Sequence, residues 1–433
     1  IVQKTFVMRI FLLLFISFIW FSNAVGQTGP KSFTSQSILF TSATIHTGDG
    51  KVIENGILAV KDKKIAFVGK SSDLPGEMTN WTKVDAKGKQ IYPGLIAMNT
   101  QLGLTEIEAV EATNDFSEVG SYTPNVRALI AYNTDSKVIP TVRSNGILMA
   151  ETTPQGGIIS GRSALVQLDA WNWEDAVIQD DAGIHINWPS IGGRWRQNTN
   201  DKEAKERYKK QMDEMASYFN QAMTYGGTKD PEKNLMLEAL YNCIKGNTRF
   251  FIHVDNASNI QDAVFFIKKF NLKGVLVGAS GAASVLDLLA KEKIPVVLVN
   301  TQRLPTTEDA PVDEGFDLPS KLQDAGILYA ISVEGFWQTR NLGFQAGQAV
   351  PFGISKEQAL ESVTLNPAKI LGVDDRVGSL AAGKDATFII TKGDIMDMRQ
   401  ALVESAYIQG RMVDLDNKQK ELNERYMAKY NQR

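Results

Sequence analysis

Residues 91–96 read Ile-Tyr-Pro-Gly-Leu-Ile, and they mark the point at which the pattern of the chain changes. From here on, short apolar segments alternate with longer stretches of helical periodicity. Apolar strands separated by helices are typical of a parallel sheet that helices cover on both faces. The predicted strands are Ile91–Met98, Gly146–Ala150, Phe250–Val254, Gly274–Gly278, Pro295–Asn300 and Ile327–Val333. Residues 91–374 have about the length of a (β/α)8 barrel, so the predicted fold class is α/β with a TIM-like barrel.

Different patterns flank the predicted barrel on both sides. Residues 36–90 and 375–415 contain short strand-like segments separated by turns, and we predict that they form one small, split β-sandwich domain. Residues 416–433 are charged and are predicted to form a C-terminal helix that faces solvent. The strands between Thr153 and Trp188 have no obvious place in the barrel, and the glycine and tryptophan content there indicates a hairpin or an insertion over the barrel mouth.

The N-terminus has the pattern of a secretory signal peptide. Lys4 and Arg9 precede the apolar run Ile10–Phe21, and Ser22-Asn23-Ala24 supplies small residues at the positions a signal peptidase requires. We therefore predict that residues 1–24 are a signal peptide and that the mature protein is periplasmic or secreted. The apolar run is too short to span a bilayer comfortably, so no stable membrane anchor is expected.

Charge and cysteine content exclude several classes of function. The formal net charge of the 433-residue chain is −3, which gives no electrostatic reason to expect nucleic acid or anionic lipid as a partner. The single cysteine, Cys243, excludes an internal disulfide framework and any cluster of thiolate ligands. Because Cys243 lies in a helix-like stretch, we expect it to be a small buried apolar residue.

Three further stretches near the C-terminus combine with residues 91–96 into a specific pattern. Residues 364–372 read Thr-Leu-Asn-Pro-Ala-Lys-Ile-Leu-Gly, and they are followed by Gly378-Ser379-Leu380 and by Gly383-Lys384-Asp385-Ala386. Asn366-Pro367 is expected to end one helix and to start the next, because proline disfavours a helical residue before it. Together these stretches closely resemble the amidohydrolase superfamily, in its imidazolonepropionase-like branch, over nearly the whole mature chain.

The resemblance implies metal-assisted hydrolysis as the chemistry of the lineage. In the family, histidines at the carboxyl ends of barrel strands hold zinc or a similar divalent ion, and an acidic residue on the eighth strand handles the proton. The metal makes a bound water nucleophilic near neutral pH, and C–N bonds other than peptide bonds, in cyclic amides or amines, are cleaved.

The positions that match the family's metal ligands have mostly lost their histidines. The resemblance places a His-x-His pair where this chain has Asn99 and Gln101, whose amide oxygens are weak ligands for zinc. It retains His253 as a metal ligand at the end of the fifth strand, and it places Gly278 near the position of a sixth-strand histidine. Glu334 matches the catalytic acidic residue of the eighth strand, one methylene longer than the usual aspartate.

The other candidate residues form no complete site in the sequence. His46 and His185 fall outside the matched ligand positions, and we expect both to be structural. A hard-ion site built from Asn99, Gln101, Glu334 and Asp255 stays open, whereas Ser280 and Ser332 show no readable Ser/His/Asp order. Polar residues in loop-like stretches are predicted to form a substrate rim. They are Asn125, Arg127, Asn133 and Arg143.

Two functions follow from these observations. The first is an exported hydrolase of the amidohydrolase lineage with an atypical or reduced metal site, which uses zinc or a similar ion. The second is a non-catalytic relative that kept the barrel, holds no metal, and acts as a binding protein or partner subunit. The partner is then a small-molecule substrate or a homologous subunit, and the fold is compatible with an oligomer.

Overall fold

A computed structural model describes residues 29–32, 35–190, 202–246, 248–306 and 309–430. The predicted signal peptide lies outside these residues. Within the described part, no helix is both long and apolar enough to cross a membrane.

The described residues contain sixteen strands, which fall into two sheets. In chain order they are β1 (Ser37–His46), β2 (Val52–Lys61), β3 (Lys64–Lys70), β4 (Thr82–Asp85), β5 (Gln90–Pro93), β6 (Leu95–Thr100), β7 (Ile147–Thr152), β8 (Ile159–Gln167), β9 (Val177–Asn187), β10 (Arg249–Val254), β11 (Lys273–Gly278), β12 (Val296–Val299), β13 (Tyr329–Ser332), β14 (Phe388–Thr391), β15 (Val403–Ile408) and β16 (Arg411–Val413).

The helices of the described residues lie mainly between the strands of the second sheet. They are α1 (Ala128–Ala131), α2 (Ile139–Arg143), α3 (Trp173–Ala176), α4 (Lys202–Gly227), α5 (Leu235–Lys245), α6 (Ala257–Phe270), α7 (Leu286–Glu292), α8 (Glu314–Asp324), α9 (Leu342–Ala349), α10 (Lys356–Glu361), α11 (Leu365–Leu371) and α12 (Lys418–Tyr430). Short 3-10 helices cover Ser71–Asp73, Gly76–Met78, Glu111–Thr113, Ala282–Ser284, Gln338–Asn341 and Val350–Phe352.

Strands β6 to β13 form the barrel in sequence order, as the alternating apolar pattern predicts. Every neighbouring pair is parallel except the two pairs that contain β8, which runs antiparallel to both β7 and β9. The stretch that had no obvious place in the sequence is therefore part of the barrel wall, with β7, β8 and β9 joined through hairpin-like connections. Most of β8 and the second half of β9 are buried in this wall.

The barrel is completed between its first and last strands by a segment that is not a strand. The Ile331 N–H of β13 donates to the Ser362 carbonyl at 2.9 Å, and the Ile96 N–H of β6 donates to the Val363 carbonyl at 2.9 Å. The Ser332 hydroxyl adds a direct hydrogen bond to the Met98 carbonyl. Backbone groups that would otherwise form an open edge are thereby paired.

The 364–372 motif closes the bottom of the barrel immediately after this segment. Ala368, Ile370 and Leu371 of α11 are buried against the apolar interior of the strands. The expectation that Asn366-Pro367 separates two helices is wrong, because both residues lie inside α11. Pro367 is tolerated there because the first N–H groups of a helix have no partner within the helix.

The flanking strands form one eight-stranded sheet in the order β16-β15-β14-β5-β1-β2-β3, with β4 paired to β1. The sheet bends back on itself, since the Ile65 N–H at the start of β3 donates to the Lys384 carbonyl just before β14 at 2.9 Å. The rings of Phe40, Phe388 and Tyr407 meet in the core between its two halves. The two parts of the sequence that flank the barrel thus contribute strands to one sheet.

Gly94 separates the two sheets, so the predicted single strand Ile91–Met98 is wrong. β5 ends at Pro93 in the bent sheet, and β6 begins at Leu95 in the barrel. A Cβ atom at Gly94 would lie 2.8–3.0 Å from side-chain atoms of Leu148, which is closer than real Cβ contacts allow. A glycine is needed at this junction because the barrel wall approaches the backbone too closely for any side chain.

A buried ion cluster joins the barrel to the sheet domain. Asp169, which follows β8, accepts from Arg143 at 2.6 Å and from Arg411 of β16. Arg143 also donates to the Leu168 carbonyl at 2.9 Å, and both Arg143 and Asp169 are only 8% exposed. A carboxylate held between two guanidinium groups compensates charges that would be costly to bury alone.

We predict that Asp169→Ala destabilises the protein by about 3–5 kcal/mol, because it leaves two largely buried arginines without their carboxylate. Urea unfolding followed by circular dichroism measures the effect. Glu421→Ala, which removes an exposed ion pair on α12, is the matched control and should shift stability by less than about 1 kcal/mol. An Asp169→Ala midpoint within the range of that control would contradict a stabilising role for the cluster.

Candidate functional site

The barrel mouth is the end at which the strands β6, β7 and β9–β13 reach their carboxyl termini. In barrels of this class, the functional residues lie at that end. Four of the five positions taken from the family pattern, Asn99, Gln101, Gly278 and Glu334, lie in or directly after the last residues of a strand. The fifth, His253, is the penultimate residue of β10.

The inward-facing side chains change from apolar to polar on approaching the mouth. Met149, Leu165, Phe251 and Ala330 belong to the apolar interior of the barrel. The residues two positions closer to the mouth on the same strands are polar, and because side chains alternate along a strand they share the inward direction. They are Glu151, Ser163, His253 and Ser332.

Glu151 and His253 form a continuous set of hydrogen bonds with His185 of β9. We call Glu151, His185 and His253 the histidine chain. Nδ1 of His185 lies 2.9 Å from Nε2 of His253, and Nε2 of His185 lies 3.3 Å from Oε1 of Glu151. The ring of His185 stacks on Phe251, with centroids 4.8 Å apart. The sequence predicts a structural role for His185 outside the matched ligand positions. In the structure its ring is hydrogen-bonded directly to His253.

Glu151 has further partners that hold its carboxylate in place. Oε1 accepts from the Ser163 hydroxyl at 2.7 Å, and Oε2 accepts from the backbone N–H of Asn99 at 3.2 Å. Both Glu151 and His185 are fully buried, whereas His253 is partly exposed. The histidine chain therefore runs from the interior of the barrel wall towards the mouth and ends on the His253 ring.

The environment of His253 keeps its ring neutral. Burial, with the neighbouring His185 as the second cause, lowers the pKa of His253 from its ordinary value of 6.5 to about 3. Desolvation disfavours the charged form of an imidazole, so this direction is expected for a histidine inside a barrel.

Asn99 and Gln101 are both buried at the end of β6, at 9% and 7% exposure. Asn99 has a φ of 52°, a left-handed conformation that asparagine tolerates better than most residues do. Its Oδ1 is buried and has no hydrogen-bond partner among the described residues. The first of the two replaced ligand positions is thus next to the histidine chain, through the contact of its backbone with Glu151.

Gly278 occupies a position at which a histidine would be strained. Its φ is 88°, and a Cβ atom there would lie 2.8 Å from Oδ1 of Asp255. That same oxygen accepts from the Ser280 hydroxyl at 3.1 Å, so Asp255 is held by the loop after β11. Glu334 is exposed beyond the end of β13, and its backbone N–H donates to Oδ1 of Asn300 at 3.1 Å.

The four predicted rim residues do not converge on one surface. Arg127 forms ion pairs with Asp180 and Asp181 on β9. Arg162 also binds Asp181, and it donates to the Asn125 carbonyl. Ser163 points into the barrel, so its neighbour Arg162 and this whole cluster lie on the outer side of the wall.

Asn133 and Arg143 lie at two further places. Asn133 is exposed in the loop after α1, where its side chain lies 3.4 Å from Glu106. Arg143 precedes β7 and belongs to the buried cluster with Asp169, at the end of the barrel opposite the mouth. Arg143 is therefore corrected from a rim residue to a structural one.

The remaining candidates lie outside the mouth. His46 connects β1 to helix α10 through Glu357 at 2.7 Å and also contacts Gln90 at 3.0 Å. Cys243 is buried, and burial raises the pKa of its thiol to about 11, so it is not a ready nucleophile. Ser332 is occupied in closing the barrel.

The donors at the mouth do not fit the metal of the family. Among the described residues, no three His, Cys, Asp or Glu side chains are placed to hold one ion together. Amides stand at two of the positions that the resemblance matches to ligands, a glycine with a left-handed φ stands at the third, and Nε2 of His253 is hydrogen-bonded to His185. Structural and catalytic zinc sites need three or four protein ligands, which this set does not supply.

Comparison with known proteins assigns the chain to a family. The sequence profile of the amidohydrolase family matches residues 176–414. The chain belongs to the amidohydrolase family of hydrolases. It is 24% identical to an imidazolonepropionase of Brucella suis over 399 residues, which are 82% of this chain and 93% of that protein. It is 23% identical to a 5-methylthioadenosine/S-adenosylhomocysteine deaminase of Moorella thermoacetica, over 84% of this chain and 86% of that one.

Solved structures show the same fold. The crystal structure of an amidohydrolase from Thermotoga maritima matches with a TM-score of 0.74 and 24% identity, over 87% of this chain and 99% of that one. Ochratoxinase from A. niger matches with a TM-score of 0.56 and 14% identity, over 87% and 95% of the two chains. These similarities confirm the TIM-like barrel with a separate sheet domain and the imidazolonepropionase-like resemblance.

Sequence reasoning missed Glu151, Ser163 and the role of His185. A signal for Glu151 was present, since a carboxylate inside the apolar run of β7 needs partners within the protein. Ser163 and His185 lie on β8 and β9, whose place in the barrel was not predicted. The contact between His185 and His253 requires β9 and β10 to be neighbours, which only the fold determines.

We predict that His253 makes the protein sensitive to acid. Between pH 6.5 and about 3, the unfolded chain binds a proton on this ring that the folded protein does not bind. Stability is therefore lost as the pH falls through this window, by at most about 1.4 kcal/mol per pH unit for one group. Urea midpoints measured across the window should fall more steeply for the wild type than for His253→Gln. Ile252→Val, a mild core change in the same strand, should keep the wild-type slope; equal slopes for the wild type and His253→Gln would contradict the prediction.

Proposed function

We propose that this protein is an exported, non-catalytic member of the amidohydrolase family that binds a small molecule at the barrel mouth without a metal ion. The observation that carries the proposal is the position of His253. Its Nε2 is bound to His185, and the chain of hydrogen bonds continues to Glu151 instead of converging with other ligands. The scaffold of the hydrolase is retained, while His253 is held by hydrogen bonds within the protein.

The alternative is a hydrolase with a reduced metal site, and the same geometry argues against it. A hard-ion site from Asn99, Gln101, Asp255 and Glu334 would need these side chains to converge. Instead, Asp255 is held by Ser280, and Glu334 is exposed beyond the strand end. The mouth of a barrel is also a usual place for a small ligand.

Elemental analysis of the purified mature chain tests the metal-free site. We predict substoichiometric Zn, Mn, Fe and Ni in the wild type, with no further loss in His253→Ala. His46→Ala, which removes a histidine outside the barrel, is the matched control. Stoichiometric metal that disappears only in His253→Ala would overturn the proposal.

An activity measurement completes this test. After addition of each metal, the wild type should not hydrolyse a panel of cyclic amides and dipeptides beyond the rate of His253→Ala. Hydrolysis that depends on His253 and on an added metal would support the hydrolase instead.

The proposed export is based on the N-terminal pattern of residues 1–24. We predict that expression in a Gram-negative host places a protein beginning near Val25 in the periplasm or the medium, because the small residues Ser22 and Ala24 permit cleavage. Mass spectrometry of the exported fraction gives the mature N-terminus. Ala24→Tyr should block cleavage, whereas Lys31→Ala should not; an uncleaved cytoplasmic wild type would contradict the proposal.

A further inference from the structure

The direction of the hydrogen bonds in the histidine chain follows from Glu151. A carboxylate is an acceptor only, and the backbone N–H of Asn99 and the Ser163 hydroxyl both donate to it. The nitrogen that His185 turns towards Oε1 of Glu151 must then carry a proton, and this nitrogen is Nε2.

The second ring nitrogen of His185 sets the state of His253. In a neutral imidazole only one nitrogen carries a proton, so Nδ1 of His185 is an acceptor. The His185 ring is fully buried, and Glu151 also has Arg249 as a positively charged neighbour. Nε2 of His253 therefore donates to Nδ1 of His185, and Nδ1 of His253 is left without a proton.

We propose that Glu151, acting through His185, is a positioning residue that fixes His253 in the tautomer whose Nδ1 is a hydrogen-bond acceptor at the mouth, and that the ligand there presents an N–H donor. This inference rests on the proposed metal-free binding function. His253 is the partly exposed end of the histidine chain. Within the described part of the protein, its ring forms a hydrogen bond through Nε2, to His185.

A second observation, at the end of β6, indicates a place for a ligand group at the barrel mouth. Oδ1 of Asn99 is buried without a partner among the described residues, although buried polar atoms are nearly always satisfied. Asn99 is connected to the histidine chain through Glu151. The mouth thus offers an N–H donor two acceptors, Nδ1 of His253 and Oδ1 of Asn99.

The Glu151→Gln variant gives a sharp test, because the amide can be oriented in one way only. The backbone N–H of Asn99 requires an acceptor at the position of Oε2, so the amide oxygen must lie there and the NH2 group must face His185. The Ser163 hydroxyl can then turn to the Gly183 carbonyl, 3.3 Å away. Each hydrogen bond of the chain reverses, and Nδ1 of His253 becomes protonated.

The experiment is nitrogen-15 NMR of histidine-labelled, metal-stripped mature protein at neutral pH. We expect Nδ1 of His253 in the non-protonated range for the wild type and in the protonated range for Glu151→Gln. His185→Phe, which keeps the stacking on Phe251, should give a mixture of tautomers. This second variant removes the link without placing a new polar group in the core, and circular dichroism checks that both variants fold.

Two probes test the ligand class on the same samples. N-methylacetamide carries one N–H, whereas N,N-dimethylacetamide has none and can only accept. N-methylacetamide should shift the Nδ1 resonance of His253 in the wild type, and N,N-dimethylacetamide should not. In Glu151→Gln, where Nδ1 is a donor, N,N-dimethylacetamide should shift that resonance.

The outcomes separate this inference from the proposed function. A protonated Nδ1 in the wild type, an unchanged tautomer in Glu151→Gln, or no preference between the probes would overturn the inference. The metal content is measured before the protein is stripped, and it tests the proposed function independently. A protein purified with stoichiometric metal would contradict the metal-free function, whichever tautomer His253 adopts after stripping.

Discussion

Closure of the barrel is the constraint on which the rest of the structure depends. β6 and β13 are joined through the backbone of Ser362 and Val363, and the Ser332 hydroxyl adds a bond across the same gap. Once the sheet is closed, every inward side chain lies in a confined interior and must find its partners there. Apolar residues fill the lower interior, and the polar residues near the mouth bind one another.

The histidine chain is a consequence of that confinement. Glu151 is fully buried, so its carboxylate accepts hydrogen bonds from groups on β6, β8 and β9. His185 is in turn hydrogen-bonded to His253 on β10. His253, which the family resemblance matches to a metal ligand, is hydrogen-bonded to His185. Together with the residues at positions 99, 101 and 278, this hydrogen bond supports the proposed metal-free binding function.

Much of the fold could be predicted, because its signals are local. The alternation of strands and helices indicated the barrel, the flanking patterns indicated a sheet domain split around it, and the 364–372 motif indicated the family. β8 was not placed, because a buried strand that reverses direction has no distinctive periodicity. The break at Gly94 was also missed, since only the approach of Leu148 shows why one apolar run must become two strands.

The sequence by itself determined which residue types stand at the strand ends, and hence that amides and a glycine stand where the resemblance places most of the metal ligands. Only the tertiary structure decided what the remaining polar residues do. Arg143 became part of an ion cluster at the opposite end of the barrel, and His185 became the partner of His253. The physical reason is that ligand identity is a property of single positions. Hydrogen-bond partners, by contrast, depend on which strands are neighbours and on which side chains share the interior of the closed barrel.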